Sequence, residues 1–591
     1  MDGYDELEDP FDLHFKDDLS PELLSAVSDK KFEVNKQSWP TLRQIVSKTL
    51  KICESSNKIC KTVDEKSPDF VKLPGPLQNV KSKDLNSYHI KSQIVANVES
   101  CNLTYAGESK LTPLQLEIFS IIHEYRDLYF TERSFDNAEQ IRFVYCLHAI
   151  NHALKTRLKI THHNARISDK SEISDEFRDQ GLVRPKVLIV VPFKDSALRV
   201  IKIIASILLG DEKQNIVHKK RFYDEFGGDH ISMSQKQQKP EDFEKTFSGN
   251  IDDEFRIGIG VTKKSLKLYS EFYSSDIIVA SPLGLRLIIG VEGEAERDYD
   301  FLSSIEVLIL DQTEIFLMQN WDHVLHLVEH LNLQPRESHG TDFSRVRSWA
   351  LNGWTKYYRQ NLIFTANPVV DISALANKIC CNYAGYVRTN NPVAVGTISQ
   401  VVVSVPQIFY RLIDRSASET AEERFDMFVR RILPQFQDNL MKHVLIYVPS
   451  YFDFVRLRNY FKSEAISCAL VCEYSKDRKV AEARDQFFHN ELNFMLYSER
   501  FHFYRRRKIR GICHILFYQL PTFPHFYSEL CNLMQTANQN PKTSRNTNSS
   551  VSVIYSKFDT PQLAAIVSTN RAARMLSSDQ EVHMFMTDDI N

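Results

Sequence analysis

The residues best placed to do chemistry follow short apolar runs. VLIL ends at Leu310, and LDQTEIF (310–316) then offers Asp311, Gln312, Thr313 and Glu314. In an α/β sheet, ligands bind outside the carboxyl ends of the strands, so a carboxylate there can face a metal-bound phosphate. Asp311 suits such a magnesium-facing corner. Phosphoryl transfer also needs a group that orients the attacking water and a glycine-rich loop whose backbone N–H groups close on phosphate. Gln312 follows Asp311 and cannot act as a general base. Between Glu108 and Gln180 there is no glycine, and no glycine in the chain precedes a lysine. The stretch where the loop belongs reads TERSFDNAEQIRFVYCLHAINHALKTRLKI (131–160), which predicts an amphipathic helix instead of a phosphate cradle.

Other constellations carry weaker signals. Arg500, Arg505, Arg506, Arg507, Lys508 and Arg510 interleave with Phe501, Phe503 and Tyr504. Such cations neutralise phosphates while aromatic and guanidinium planes stack on bases. A nuclear import signal and a helix start paired with acids remain open for the same run. His326-Leu-Val-Glu329-His330 matches a zinc-binding spacing, with His323 one turn earlier, but no third ligand is evident and a sheet-packing helix is the better expectation. In SYFDFVRLRNYF (450–461) the aromatic density resembles a stacking platform, yet Phe454, Leu457 and Phe461 are spaced for a core-facing helix.

These groups need elements to position them. Strand-length apolar runs recur at VLIVV (187–191), IGIGV (257–261), DIIVA (276–280), VLILD (307–311) and NLIFTA (361–366). A second series is HVLIYV (443–448), CALVC (468–472), NFMLYS (493–498), HILFYQL (514–520) and VSVIYS (551–556). Continuous apolarity implies parallel strands buried on both faces under helices, and two series imply two α/β domains. The reading is 1–107 as an acidic and polar arm and linker, 108–395 as a first domain and 396–591 as a second. Asp2, Asp5, Glu6, Glu8, Asp9, Asp12, Asp17 and Asp18 make the beginning acidic, with Phe11 and Phe15 in DPFDLHF as a candidate partner-binding anchor in a largely disordered region. Hydrophilic stretches at 231–254, 292–300 and 535–550 read as surface insertions or disordered loops.

Composition limits the classes. A net charge of −3 excludes a protein that coats nucleic acid by bulk electrostatics, so any RNA contact is a local patch. Ten cysteines form no C-x-x-C pair, the nearest approaches being Cys380–Cys381, Cys468/Cys472 and Cys53/Cys60, so free thiols are expected and neither zinc nor a disulfide framework. No secretory signal and no apolar run of membrane-span length are seen, which predicts an intracellular protein without a membrane partner.

Taken in order, the junctions resemble those of a DEAD-box helicase. LTPLQ with Gln115 resembles the glutamine-containing segment, PFKDSAL with Pro192 the P-T-R-E-L segment, and SPLGL with Pro282 the T-P-G-R-L segment. LDQTEIF takes the DEAD position and FTA, with Thr365, the S-A-T position. Gln312 replaces the glutamate expected there. Arg510 and Gly511 alone match the R-G-x-D segment, and FPHFYSEL (523–530) stands where the arginine-finger segment should be. The strings DEFRDQGLVRPKVLIVVP (175–192), KLYSEFYSSDIIVASPLGL (267–285), LMQNWDHVLHLVEHLNLQP (317–335) and IYVPSYFDFVRLRNYF (446–461), with YSERFHFYRRRKIRGI (497–512), are similar to the digestive organ expansion factor family. These are the U-three small nucleolar RNA-associated, DEAD-box-like pseudohelicases of the small-subunit processome. The family's long acidic extension is much shorter here.

The resemblance, which covers roughly 108–580, implies two tandem RecA-like domains. It further implies a nucleolar, non-catalytic factor for pre-rRNA processing toward 18S rRNA, with no cofactor. Its expected partners are pre-rRNA or U-three small nucleolar RNA and other processome proteins. Asp311 then becomes a capping or polar junction residue. A degenerate but active RNA-dependent ATPase is the alternative, and a purely protein-binding adaptor a third reading.

Overall fold

The computed structural model describes residues 9–51, 70–79, 85–167, 175–210, 215–228, 239–294, 296–413, 416–438, 441–540 and 549–587. Cys53, Cys60 and parts of the stretches at 231–254, 292–300 and 535–550 lie outside them. The chain divides into two compact units, Met1–Asn367 with Ile372–Asn391, and Pro368–Asp371 with Pro392–Asn591.

In the first unit the strands are β1 (Phe32–Trp39), β2 (Arg43–Leu50), β3 (Asp127–Phe130), β4 (Val187–Val190), β5 (Ile216–Val217), β6 (Arg256–Val261), β7 (Leu266–Leu268), β8 (Ile277–Ala280), β9 (Val307–Leu310), β10 (Gln360–Phe364) and β11 (Tyr386–Thr389). They form one sheet in the order β1-β2-β11-β3-β10-β9-β4-β8-β6-β7-β5. From β11 to β8 every pairing is parallel. All residues of β4, β8 and β9 are buried, as apolarity on both faces demands when helices cover both. This is a RecA-like α/β layer. Its register matters for the site. Phe130 pairs with Phe364, and Leu310 with both Ile363 and Val190. The loops after β3, β10, β9 and β4 therefore leave the sheet side by side at its carboxyl edge.

The second unit repeats the architecture. Its strands are β12 (Pro406–Arg411), β13 (Val444–Val448), β14 (Cys468–Val471), β15 (Phe494–Ser498), β16 (His514–Phe517), β17 (Ser550–Tyr555) and β18 (Val582–Met586), ordered β14-β15-β13-β16-β17-β12-β18. All pairings are parallel except β18 on β12. As the spacing predicted, Phe454, Leu457 and Phe461 face the core.

The acidic beginning is a correction. From Asp9 on it is part of the first unit and not an arm. Asp9 caps the helix Pro10–Phe15 by accepting the Phe11 N–H at 3.0 Å, and it pairs with Lys155 at 2.6 Å. Phe11 and Phe15, four apart and so on one helix face, are 3 % and 1 % exposed. Their rings pack on Tyr125 and His152 at 5.0–6.4 Å. His14 stacks between Tyr125 and Tyr383, at 5.1 and 4.6 Å, and donates to the Tyr358 carbonyl at 2.8 Å. Trp349 Nε1 donates to the Phe15 carbonyl. Two aromatic rings and matched lysines make this segment core, so neither phenylalanine is free to anchor a partner. β1 and β2 form an antiparallel hairpin that extends the sheet through β11. Residues 70–79 form no helix or strand beyond a bridge of Phe70 to Asp18, and Val71 and Leu77 are buried.

Candidate functional site

The carboxyl edge of the first sheet gathers the junction residues around Asp311. Arg133, in the loop after β3, is fixed by its N–H to the Thr365 carbonyl, while the Thr365 N–H donates to the Phe130 carbonyl, both at 3.0 Å. Its Nε reaches Asp311 Oδ1 at 2.6 Å. The same oxygen takes the Gln312 N–H at 2.9 Å, and Oδ2 takes the Tyr145 hydroxyl at 3.0 Å. Arg142 Nη2 stands 3.8 Å from Oδ2. The side chains of Asp311, Arg142 and Arg133 are 0 %, 3 % and 5 % exposed. A carboxylate has about four lone-pair sites, and here three hydrogen-bond donors and two guanidinium charges converge on them. A metal ion approaching Asp311 would meet the charges of Arg133 and Arg142 at 2.6 and 3.8 Å from its carboxylate oxygens.

The neighbours of Asp311 are equally committed. Gln312 sits in the left-handed region at φ 59°, and its side-chain oxygen accepts the Ser196 hydroxyl at 2.6 Å. Thr313 Oγ1 donates to the Phe364 carbonyl at 3.1 Å. Glu314 accepts the Ala366 N–H at 3.0 Å, and burial raises its carboxyl pKa. Thr365 Oγ1 donates to the Asn367 carbonyl at 3.1 Å. Asp311 is thus a polar junction that binds the loop after β3 to the strand end, while the helix-capping position falls to Gln312.

A cavity of about 240 Å³ fronts this junction, with Arg133, Arg142, Phe135, Arg199, Ser196 and Gln312 in its wall. Its cations are matched by acids: Arg142 by Glu139, and Arg199 by Asp195 at 2.8 Å and Glu139 at 3.1 Å.

The remaining junction positions are structural in their contacts. Gln115 closes a capping box with Thr112, its Oε1 accepting the Thr112 N–H at 2.8 Å, and its amide donates to Asn102 Oδ1 at 2.8 Å. The Pro192 carbonyl accepts Gln319 Nε2 at 2.9 Å. Pro282 opens the helix Pro282–Ile289 under a Ser281 cap, and Gly284 is fixed there because an added Cβ would lie 2.0 Å from the Phe255 carbonyl oxygen. His326 donates to the Gly290 carbonyl, while His330 donates to the His326 carbonyl and accepts from Arg297. Among the described residues no group of histidine, cysteine and acid side chains is arranged to hold a metal.

In the second unit the basic run separates into different roles. Ser498 caps the helix Glu499–Arg505 that follows β15. Arg506 is a correction. Its left-handed backbone, at φ 42°, turns the side chain inward, where Nε lies 3.2 Å from Glu529 and the guanidinium stacks on Phe526 at 4.3 Å. At 5 % exposure it is a buried ion pair and cannot meet RNA. Arg500 points toward Glu473 at 3.5 Å. Arg505, Lys508 and Arg510 are exposed and Arg507 half-buried. Arg484, on the helix Asp477–Phe488, joins them by donating to the Lys508 carbonyl at 2.7 Å. Burial first, then the charges of Arg507 and Arg510, depress the pKa of Arg484, so three guanidinium groups share one electropositive field. Gly511 lets the strip turn at φ 84°, with Phe488 3.2 Å from an added Cβ. Sequence reasoning missed Arg133 and Arg484. A lone arginine in the loop where a phosphate cradle was expected was the available signal for the first, and nothing local marked the second.

Comparison with known proteins adds names to this geometry. The family model described as UTP25, NTP hydrolase-like domain matches residues 125–387, and Utp25, C-terminal domain matches 397–585. The chain is 46% identical to the U3 small nucleolar RNA-associated protein 25 homolog of Homo sapiens, over 98% of this chain and 75% of that protein. It is 36% identical to U3 small nucleolar RNA-associated protein 25 of Schizosaccharomyces pombe, over 99% of this chain and 85% of that one. Among solved structures, the yeast DEAD-box splicing factor Prp28 is similar at 13% identity and a TM-score of 0.30, covering 82% of each chain. No residue correspondence follows at that score.

Proposed function

The chain belongs to the U3 small nucleolar RNA-associated protein 25 family, and from that premise we propose that it is a nucleolar ribosome biogenesis factor acting as a non-catalytic, DEAD-box-like scaffold. Its partners on this reading are pre-rRNA or U3 small nucleolar RNA and other proteins of the small-subunit processome. One observation carries the non-catalytic half: the Arg133 guanidinium is hydrogen-bonded to Asp311 Oδ1, so a protein cation already stands against the carboxylate where a magnesium ion would have to approach. The donor set does not fit a magnesium nucleotide. The loop after β3 lacks the glycines that expose backbone N–H groups to phosphate. The helix His525–Asn532, at the arginine-finger position, contains no arginine. With no nucleotide to favour one conformation differentially, nothing drives a cycle between states.

RNA contact is assigned to Arg505, Arg507, Lys508 and Arg510 with Arg484, and to Arg500 at their margin. Local clustering on a chain of net charge −3 suits a phosphate-contacting patch better than bulk attraction. The test is complementation of depleted cells with Arg133→Met and Asp311→Leu combined, which removes both charges together. A scaffold keeps 18S rRNA production and co-sedimentation with pre-ribosomal particles. Normal folding and incorporation with processing lost would overturn the reading.

A further inference from the structure

We propose that Tyr451, Phe452 and Tyr474 form a base-stacking platform for single-stranded RNA at the carboxyl edge of the second sheet. β13 and β14 run parallel on either side of β15, so the segments that follow them emerge at the same edge. The first continues into the helix Tyr451–Ser463 and the second, through Tyr474, into the helix Asp477–Phe488. Phe452 is 84 % exposed and Tyr474 66 %, among the most exposed large apolar side chains of the described residues. The core stripe of Phe454, Leu457 and Phe461 on the same helix is buried and accounts for neither. Two of the three rings are also braced. Tyr451 meets Tyr474 edge-on at 5.1 Å and lies parallel to buried Phe454 at 6.4 Å.

The surroundings select the ligand. Lys476, Arg478 and Lys479 are exposed beside Tyr474, with Asp477 the acid between them. Glu473 is turned inward, accepting the Ser498 hydroxyl at 2.8 Å and facing Arg500 at 3.5 Å, so its charge is spent inside the unit. Exposed aromatic faces with flanking cations are what successive bases and phosphates of a single strand require. A duplex hides its base faces, and an apolar protein partner would leave three cations unmatched. The inference rests on the proposed RNA role for its ligand class alone; the platform is separate in sequence from Arg505–Arg510.

The experiment is fluorescence anisotropy of the full chain with labelled decauridylate and with an abasic ribose-phosphate decamer, at low and moderate salt. The intact chain should prefer decauridylate about tenfold, equivalent to about 1.4 kcal/mol. Phe452→Ala with Tyr474→Ala should bind the two oligomers equally, while Phe452→Trp with Tyr474→Phe should keep the preference. Both positions are exposed, so circular dichroism should show unchanged folding. Equal binding of the two oligomers by the intact chain overturns the platform and leaves a phosphate contact through the arginine strip standing. Binding of neither oligomer overturns the platform and the RNA-contact reading together. A photoreactive residue at position 452 should crosslink to RNA in the assembled particle; crosslinks to protein alone would assign the patch to a protein partner and overturn the proposal.

Discussion

Asp311→Ala removes one partner of a buried ion pair and strands the other. Arg133 Nε lies 2.6 Å from the carboxylate, and the two side chains are 5 % and 0 % exposed. Tyr145 loses its acceptor in the same change. Deleting one member of such a pair costs about 3–5 kcal/mol, because a single charge remains in a dry interior. Arg142 keeps Glu139, so the cost stays near that of one pair. Asp311→Asn retains an acceptor for Tyr145 and loses the charge, which places it lower, at about 1.5–3 kcal/mol. Arg133→Met with Asp311→Leu should recover most of the loss, since apolar replacement of both partners is often neutral or stabilising. Urea unfolding, read by hydrogen exchange along the helix Ala138–Ile167 so that the first unit alone reports, should rank the alanine variant lowest and the double variant nearest wild type. An alanine variant as stable as wild type, or one whose deficit appears only with magnesium present, would refute the reasoning.

Phe15→Ala should destabilise the first unit by about 3–5 kcal/mol, because its ring is buried between Tyr125 and His152; faster proteolysis of β1 and β2 would report it. Burial holds His14 and His148 at about 3 when folded, against about 6.5 unfolded. The unfolded chain therefore binds more protons between those values, and stability falls as pH drops from about 6.5 toward 3, by about 1.4 kcal/mol per pH unit for each histidine. Denaturation at pH 5, 6 and 7 checks this, and His14→Gln should remove one histidine's share of the slope. Arg506→Glu should unfold the second unit locally by placing an acid against Glu529, visible as lost exchange protection in the helix His525–Asn532. Arg507→Glu with Arg510→Glu should keep that protection while weakening RNA binding and flattening its salt dependence.

Most of the parallel strands were legible because burial on both faces leaves an unbroken apolar signature: VLIVV became β4, DIIVA β8, VLILD β9 and HVLIYV β13. IGIGV, expected in the same series, became β6, antiparallel to β7 and β8, because apolarity marks burial and not strand direction. β3 was missed. It has four residues and begins with Asp127, whose carboxylate is satisfied by Asn361 and Asn382 from neighbouring segments, information absent from the local sequence. The hairpin of β1 and β2 was missed for the opposite reason: most of β1 faces outward, so its polar residues read as linker. Asp9 and Asp12 read as an acidic arm because their partners, Lys155 and Lys159, lie some 146 residues away on a helix. The junction residues Asp311, Gln312, Glu314 and Thr365 were legible as a set, since strand order alone brings them together. Arg133 was not, because its partner Asp311 lies 178 residues away and nothing local shows that its cation stands in for metal charge. Arg506 shows the limit of reading a basic run as surface, as one left-handed residue reverses the direction of its side chain.

The central claim is that a protein cation, and not a metal-bound nucleotide, neutralises Asp311. Isothermal titration of magnesium ATP into the full chain, with and without single-stranded RNA, tests it most directly. The account predicts no saturable heat and no hydrolysis in either case. Micromolar binding coupled to turnover, and abolished by Asp311→Asn in a variant that remains folded, would contradict it.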